Sequence, residues 1–356
     1  MPIYKDFRYT EREDYIILRA YCGDDTEVIV PDLINGKPVV EITPGAFVPE
    51  MDSNYYPIHD DKKHCSKRIR SITLPDTVLR LDRAFSGCFE LEEIILPSNV
   101  ELLGNDNFHL CYALKAIYVS EMNESYTSRK GILYSKDGTK LLRCPSSFPL
   151  WDKQYLDGVL EIGPSAFEFC SFLLEIAIPE TLLKIEDFAF ANCHNLANIQ
   201  LHENVHLSGN GHFWCCKVLD NVIYYNTEGI IPRNEFYSCE NLKSIDIRSK
   251  ARIIGYGAFS ATALVSFTVP KGNTTISASA FMHCYSLKSV EIPRSTNRIH
   301  ESAFSHCGKK YYSDEQLADI RLCFGMNPAT TFIVVPGSKA EAFCIRNGYK
   351  VVHIQK

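Results

Sequence analysis

One phenylalanine recurs along this chain at a nearly constant interval, and that repeat limits the fold more than any other feature. Phe47, Phe85, Phe108, Phe167, Phe190, Phe213, Phe236, Phe259, Phe281 and Phe304 share a local context, and from Phe167 to Phe304 the steps are 23, 23, 23, 23, 22 and 23 residues. Three residues after the phenylalanine stands Cys88, Cys111, Cys170, Cys193, Cys216, Cys239, Cys284 or Cys307, with Thr262 in that place once. Three further on is a leucine such as Leu91, Leu114, Leu196, Leu242 or Leu287. An apolar-x-apolar triplet follows, as in Ile94-Ile95-Leu96 or Ile199-Gln200-Leu201, often closed by proline (Pro97, Pro179, Pro270, Pro293). An aliphatic residue five before the next phenylalanine (Leu103, Ile162, Ile185, Ile254, Ile276, Ile299) completes the unit.

The triplet has the period of a strand, with its outer residues on one side and its middle residue on the other. Proline directly after it ends the strand, since it has no N–H to donate. The Ala-Phe-x-x-Cys segment is too short for a full helix, and its apolar spacing of three predicts a helical or 3₁₀ turn with Phe and Cys inward. No single unit buries its own apolar face, whereas stacked units do, which predicts a solenoid.

The pattern P-x-x-[VL]-x-x-I-x-x-x-A-F-x-x-C-x-x-L-x-x-I-x-I, clearest from Pro179 to Leu201, resembles the BspA-type leucine-rich repeat. That resemblance implies an α/β, right-handed leucine-rich-repeat solenoid, β-rich, with one parallel sheet of about twelve short strands and capped ends. For many members it also implies adhesion or protein binding. The chain reads as one domain over 1–356: an N-terminal cap at 1–30, repeats over 31–336, and a C-terminal cap at 337–356. Insertions at 48–67, 121–158 and 308–330 interrupt the period and return to register. Within them, Asp137-Gly138 between apolar runs predicts a hairpin, and Ser313 to Leu322 a short helix. The cap at 337–356 reads as a helix followed by a strand.

Composition excludes several classes. With 46% hydrophobic residues and a net charge of -6, the 356-residue chain is neither disordered nor suited to nucleic acid, whose phosphates need a concentrated basic face. The basic run Lys62-Lys63-His64 has aspartates beside it and reads as a solvated loop. No apolar run has the length of a membrane span. The opening MPIYKDFRYTERED has neither a basic nor an apolar leader region, so a cytoplasmic location is expected, with a secreted or surface adhesin lacking its leader as the alternative.

Fourteen cysteines and eleven histidines invite a metal reading, but the period accounts for eight of the cysteines and no C-x-x-C pair occurs. One string matches a zinc-protease pattern: His202-Glu203-x-x-His206 with Gly209 and His212. Such a site needs a helix, whereas here His202 takes the proline place of a repeat and Val205 an aliphatic place. A repeat turn therefore fits better, and no metal, cofactor or catalytic residue is assigned. The chain reads as a non-enzyme that presents a rigid sheet face to a protein partner. The middle triplet residues Ile29, Thr73, Ile95, Tyr118, Arg143, Ala177, Gln200, Ile223, Asp246, Thr268, Glu291 and Val334 should form that face. Ile95, Tyr118, Arg143, Gln200, Ile223, Asp246 and Glu291 are its candidate binding residues.

Overall fold

The computed structural model describes residues 1–47, 68–149, 151–225, 227–272, 274–307 and 330–354. The insertion at 48–67, the expected helix at Ser313 to Leu322, Cys65 and Cys323 lie outside these residues. Contacts divide the chain into two compact units, Met1–Phe172 and Leu173–Lys356.

In both units each coil carries two rows of strands where the triplet alone marked one. The first row is the triplet. In the first unit it comprises Glu27–Ile29, Ser71–Thr73, Glu93–Leu96 and Ala116–Val119, paired in parallel. In the second unit it forms two four-stranded sheets: Glu175–Ala177 to Asp246–Ile247, and Ser266–Thr268 to Lys350–His353. The second row consists mostly of two-residue strands that contain the aliphatic residue four to six before the phenylalanine, such as Arg80–Leu81, Leu102–Leu103, Ile253–Ile254 and Thr275–Ile276. These strands are too short to show a period of two, which is why the sequence marks them only as single apolar places.

The Ala-Phe-x-x-Cys segment is not helical. A left-handed residue stands two before and two after the phenylalanine: Arg83 and Gly87 around Phe85, Phe188 and Asn192 around Phe190, Asn234 and Ser238 around Phe236. Non-glycine residues pay about 1 kcal/mol or more for that conformation. A third ladder offsets the cost in the second unit. Phe188, Phe190 and Asn192 donate their N–H groups to Asn210, His212 and Trp214 of the next coil at 3.0, 2.9 and 2.7 Å. Gly211, Phe213 and Cys215 repeat the arrangement onto Arg233, Glu235 and Tyr237. The spacing of three came from inward Phe and Cys separated by a tight turn, not from a helix.

The phenylalanine rings stack face to face. In the first unit Phe47, Phe85 and Phe108 follow at 5.8 and 5.7 Å. In the second, Phe190, Phe213, Phe236, Phe259, Phe281 and Phe304 follow at 5.7, 5.5, 5.5, 5.3 and 5.0 Å, with planes within 15° of parallel. The cysteine thiols pack beside them and donate to the phenylalanine carbonyl of the preceding coil: Cys111 to Phe85, Cys239 to Phe213 and Cys307 to Phe281, at 3.1, 3.1 and 3.0 Å. Thr262, in the cysteine place after Phe259, also carries a donor, but its hydroxyl reaches the carbonyl of its own coil's Phe259 at 2.8 Å.

The flanking elements follow from local signals. Phe7–Glu11 and Ile16–Tyr21 form an antiparallel hairpin, and Ile16–Tyr21 continues in parallel onto Lys37–Ile42. Asp137-Gly138 turns the hairpin between Ile132–Ser135 and Lys140–Arg143, with the Asp137 carboxylate accepting from Thr139 N at 3.0 Å. Ser338 caps the helix Lys339–Arg346, accepting from Glu341 N, and the strand Lys350–His353 follows.

Truncating a ring in the stack should be costly. Phe236→Ala removes a fully buried ring between two stacked neighbours, and the expected loss is about 3–5 kcal/mol. Chemical denaturation should show the midpoint falling accordingly; an unchanged midpoint would mean that the ring is not part of the cooperative core.

Candidate sheet-face binding site

In the first unit four residues stand side by side on the outer face of the triplet row. Ile29 pairs with Thr73 and Ile95 with Tyr118, and the pairing of Ile72 with Ile94 brings the two pairs into line. Their neighbours in each strand, Val28, Ile72, Ile94 and Ile117, are buried because alternate residues of a strand point to opposite faces. Ile29, Ile95 and Tyr118 are 72%, 60% and 42% exposed, which makes an apolar row with one phenolic hydroxyl.

The insertion at 121–158 closes one edge of this sheet. Ile117 N donates to Gly131 O at 2.8 Å and Val119 N to Ser128 Oγ at 3.2 Å, so the strand beside Tyr118 has its backbone groups paired. Gly131 allows this approach, since a Cβ there would lie 2.7 Å from Ala116 Cβ. Asn123, first residue of a glycosylation sequon, is fully buried, with its amide held by Pro97 O, Val100 O and the N–H groups of Ser125 and Tyr126.

Arg143 is a correction to the expected face. Lys140–Arg143 pairs in parallel with Glu161–Ile162, a second-row strand, so Leu142-Arg143-Cys144-Pro145 imitates the triplet and proline without occupying their place. The Arg143 side chain is buried, 3% exposed, and donates to Ser165 O, Phe108 O and Glu168 O at 2.6, 3.0 and 3.2 Å. Glu168 Oε2 stands 3.7 Å from its guanidinium and 2.9 Å from His109 Nδ1. Val334 is also buried. The strand is Thr331–Val334, and Ile333, opposite Glu291, is the residue on the outer side.

In the second unit Ala177, Gln200, Ile223 and Asp246 are register neighbours, and Glu291 lies between Thr268 and Ile333. Gln200 lines a shallow concavity of about 400 Å³ with Glu175, Ala177, Asn198 and His202. Asp246 is paired with Arg248 at 2.8 Å. A further exposed feature of this unit was not anticipated. Trp214 lies 5.5 Å from Phe188 and 6.0 Å from Tyr237, and Arg233 sits over Tyr256 at 4.9 Å, making an aromatic ridge along the turns. Its residues lie one after or two or three before the repeat phenylalanine, at places where residue type varies between coils.

The histidine string is a repeat coil. His206–Leu207 is a second-row strand paired with Lys184–Ile185, and Val205 is buried in its aliphatic place. His202 fills the proline place, its Nε2 bonded to Pro179 O at 3.0 Å. His212 occupies the alanine place before Phe213 and is fully buried, with Nδ1 on Glu235 Oε2 at 2.7 Å and Nε2 on Ser208 O at 3.2 Å. Both nitrogens of His212 are therefore engaged, and no group of three or more metal-ligating side chains occurs among the described residues. The other Glu235 oxygen receives the Tyr224 hydroxyl at 3.2 Å.

The BspA-type leucine-rich repeat region model matches six copies, over residues 58–135, 160–288 and 258–315. The chain belongs to the BspA-type leucine-rich-repeat family. Among solved structures, a leucine-rich repeat protein from Eubacterium ventriosum ATCC 27560 is similar at a TM-score of 0.65 and 20% identity, over 81% of this chain and 78% of that one. A leucine rich cell surface protein from Faecalibacterium prausnitzii A2-165 has 20% identity over 96% of each chain, at a TM-score of 0.42. The pneumococcal vaccine antigen PcpA has 16% identity over 99% of this chain and 98% of its own, at 0.41. No curated protein matches. The membership and the first of these similarities establish the solenoid fold. No helix among the described residues of this BspA-type chain is long and apolar enough to cross a membrane.

Two outcomes follow from this chemistry. The described cysteines are thiols, and burial pushes the ladder thiols up, Cys111 to about 12 and Cys88, Cys216 and Cys239 well above their usual value. A thiol reagent on the folded chain should label exposed Cys22 and leave these four unmodified until denaturant is added, as read by peptide mass spectrometry. Prompt native labelling of Cys216 would contradict the packing.

The second outcome concerns pH. Burial opposes a charge on His212, but Glu235 and the Ser208 carbonyl outweigh it and hold the imidazole pKa above its ordinary 6.5. Protonation is thus favoured by folding. The contribution is fully present below the unfolded-state value and is lost as pH rises through the higher folded-state value. The stability difference between the native chain and His212→Gln should therefore be largest near pH 6 and shrink toward pH 8. A difference that grows with pH would reverse the assignment.

Proposed function

We propose that this protein is a non-enzymatic interaction module whose outer sheet face binds a protein partner, with Ile95 and Tyr118 as the central contacts in the first unit. The supporting observation is the adjacent, solvent-exposed pair of large side chains in register on a rigid parallel sheet. Tyrosine supplies wide contact area with little rotamer entropy to lose, and an aliphatic neighbour adds apolar area, a combination that recurs at interface centres. Gln200, Ile223, Asp246 and Glu291 are the corresponding contacts in the second unit. A scaffold of this kind needs no cofactor.

The test is a double substitution. Ile95→Ser with Tyr118→Ser removes only exposed side chains, so stability should change by no more than about 0.5 kcal/mol per site, while capture of the partner is lost. Full capture by the folded double variant would move the site away from this face. The aromatic ridge at Trp214 and Tyr237 would then be examined by the same substitutions.

A further inference from the structure

Burial of Arg143 leaves the outer face of the first unit's triplet row with a charge of one sign. Two residues before Ile29, Thr73 and Ile95 on their strands stand Glu27, Ser71 and Glu93, neighbours in register on that face. Glu27 and Glu93 are exposed, and neither carboxylate has an ion-pair partner among the described residues. The cations directly preceding two of these strands are already engaged, Lys115 with Glu92 at 2.6 Å and Arg70 with Glu90 at 3.9 Å. An apolar row is thus bordered by an anionic row about 7 Å away, the distance between alternate residues of a strand. The second unit repeats the bias: Glu175 and Glu291 are exposed outer residues of its triplet row, with Lys350 as the one lysine at such a place among the described residues.

We infer that the occupant of this face is an extended protein segment that alternates apolar and basic side chains, with the apolar residues on Ile29, Ile95 and Tyr118 and the basic ones on Glu27 and Glu93. This rests on the sheet-face reading above and specifies its partner. Four strands about 4.8 Å apart span about 15 Å, room for about five residues of extended chain. Anionic lipid and nucleic acid meet like charge here, and a second copy of this chain, itself at -6, brings the same carboxylates. Charges at the border of an apolar contact act mainly by steering association and excluding wrong partners.

The probes are three short labelled peptides, of alternating leucine and lysine, leucine and glutamate, and serine and lysine, titrated against the full chain by fluorescence anisotropy. The native chain should bind the leucine–lysine peptide in preference to both others. Glu27→Gln with Glu93→Gln should weaken that binding about three- to tenfold at low salt, and the difference should fade at high salt. Glu27→Lys with Glu93→Lys should move the preference to the leucine–glutamate peptide. Equal binding of all three peptides, no binding of the leucine–lysine peptide, or charge variants that leave its affinity unchanged would overturn the inference. If the charge variants do nothing while Ile95→Ser with Tyr118→Ser abolishes binding, the sheet-face reading survives and the basic partner does not. Sedimentation showing a dimer that this serine variant dissolves would assign the face to a second copy instead.

Discussion

The stacking of one phenylalanine ring per coil is the interaction on which the other features depend. Rings fully removed from water and separated by 5.0 to 5.8 Å dictate how far each coil advances. That advance is close to the spacing of parallel strands, so the triplet row, the second row and the turn ladder can all be hydrogen-bonded at once. The price falls on the turn. Bringing the chain sharply around the ring places left-handed residues on either side of it, several of them not glycine, and the inter-coil N–H···O bonds of those same residues hold them there.

Departures from the repeat show how strictly its interior is kept. Most polar residues that replace an expected apolar or small one find a partner on a neighbouring coil or segment; the buried hydroxyl of Thr296, in an aliphatic place, is an exception. Asn107, in the alanine place before Phe108, bonds Leu81 O and Ala84 N. His212 and Glu235, in that place on successive coils, bond one another. Arg143 satisfies three carbonyls around the insertion. A buried polar group without a partner costs on the order of 1–3 kcal/mol, so these substitutions persist as pairs or networks. The zinc-protease string is one outcome: His202 and His212 are accounted for by a proline carbonyl and by Glu235, both of adjoining coils.

Because the interior is so constrained, variation collects on the outer side of the triplets and on the turn ridge. Family membership accounts for Phe, Cys and the aliphatic places, and is silent on Ile95, Tyr118, Glu27 or Trp214, whose places tolerate many residue types. Function in a scaffold of this kind is carried by residues the repeat does not require.

The sequence by itself determined the solenoid, the inward phenylalanine and cysteine ladders, the Asp137-Gly138 hairpin, the closing helix and strand, and the exposure of Ile95 and Tyr118. Each rests on a period or a turn signal that is local in the chain. The tertiary structure alone decided the second strand row, whose mostly two-residue strands are too short to carry a period, and the left-handed residues that flank the turns where the spacing of three predicts a helical or 3₁₀ turn. It also decided the position of Arg143. Four residues that imitate the triplet and its proline differ from it only in which strand they pair with, and pairing between coils is a choice made by the whole stack.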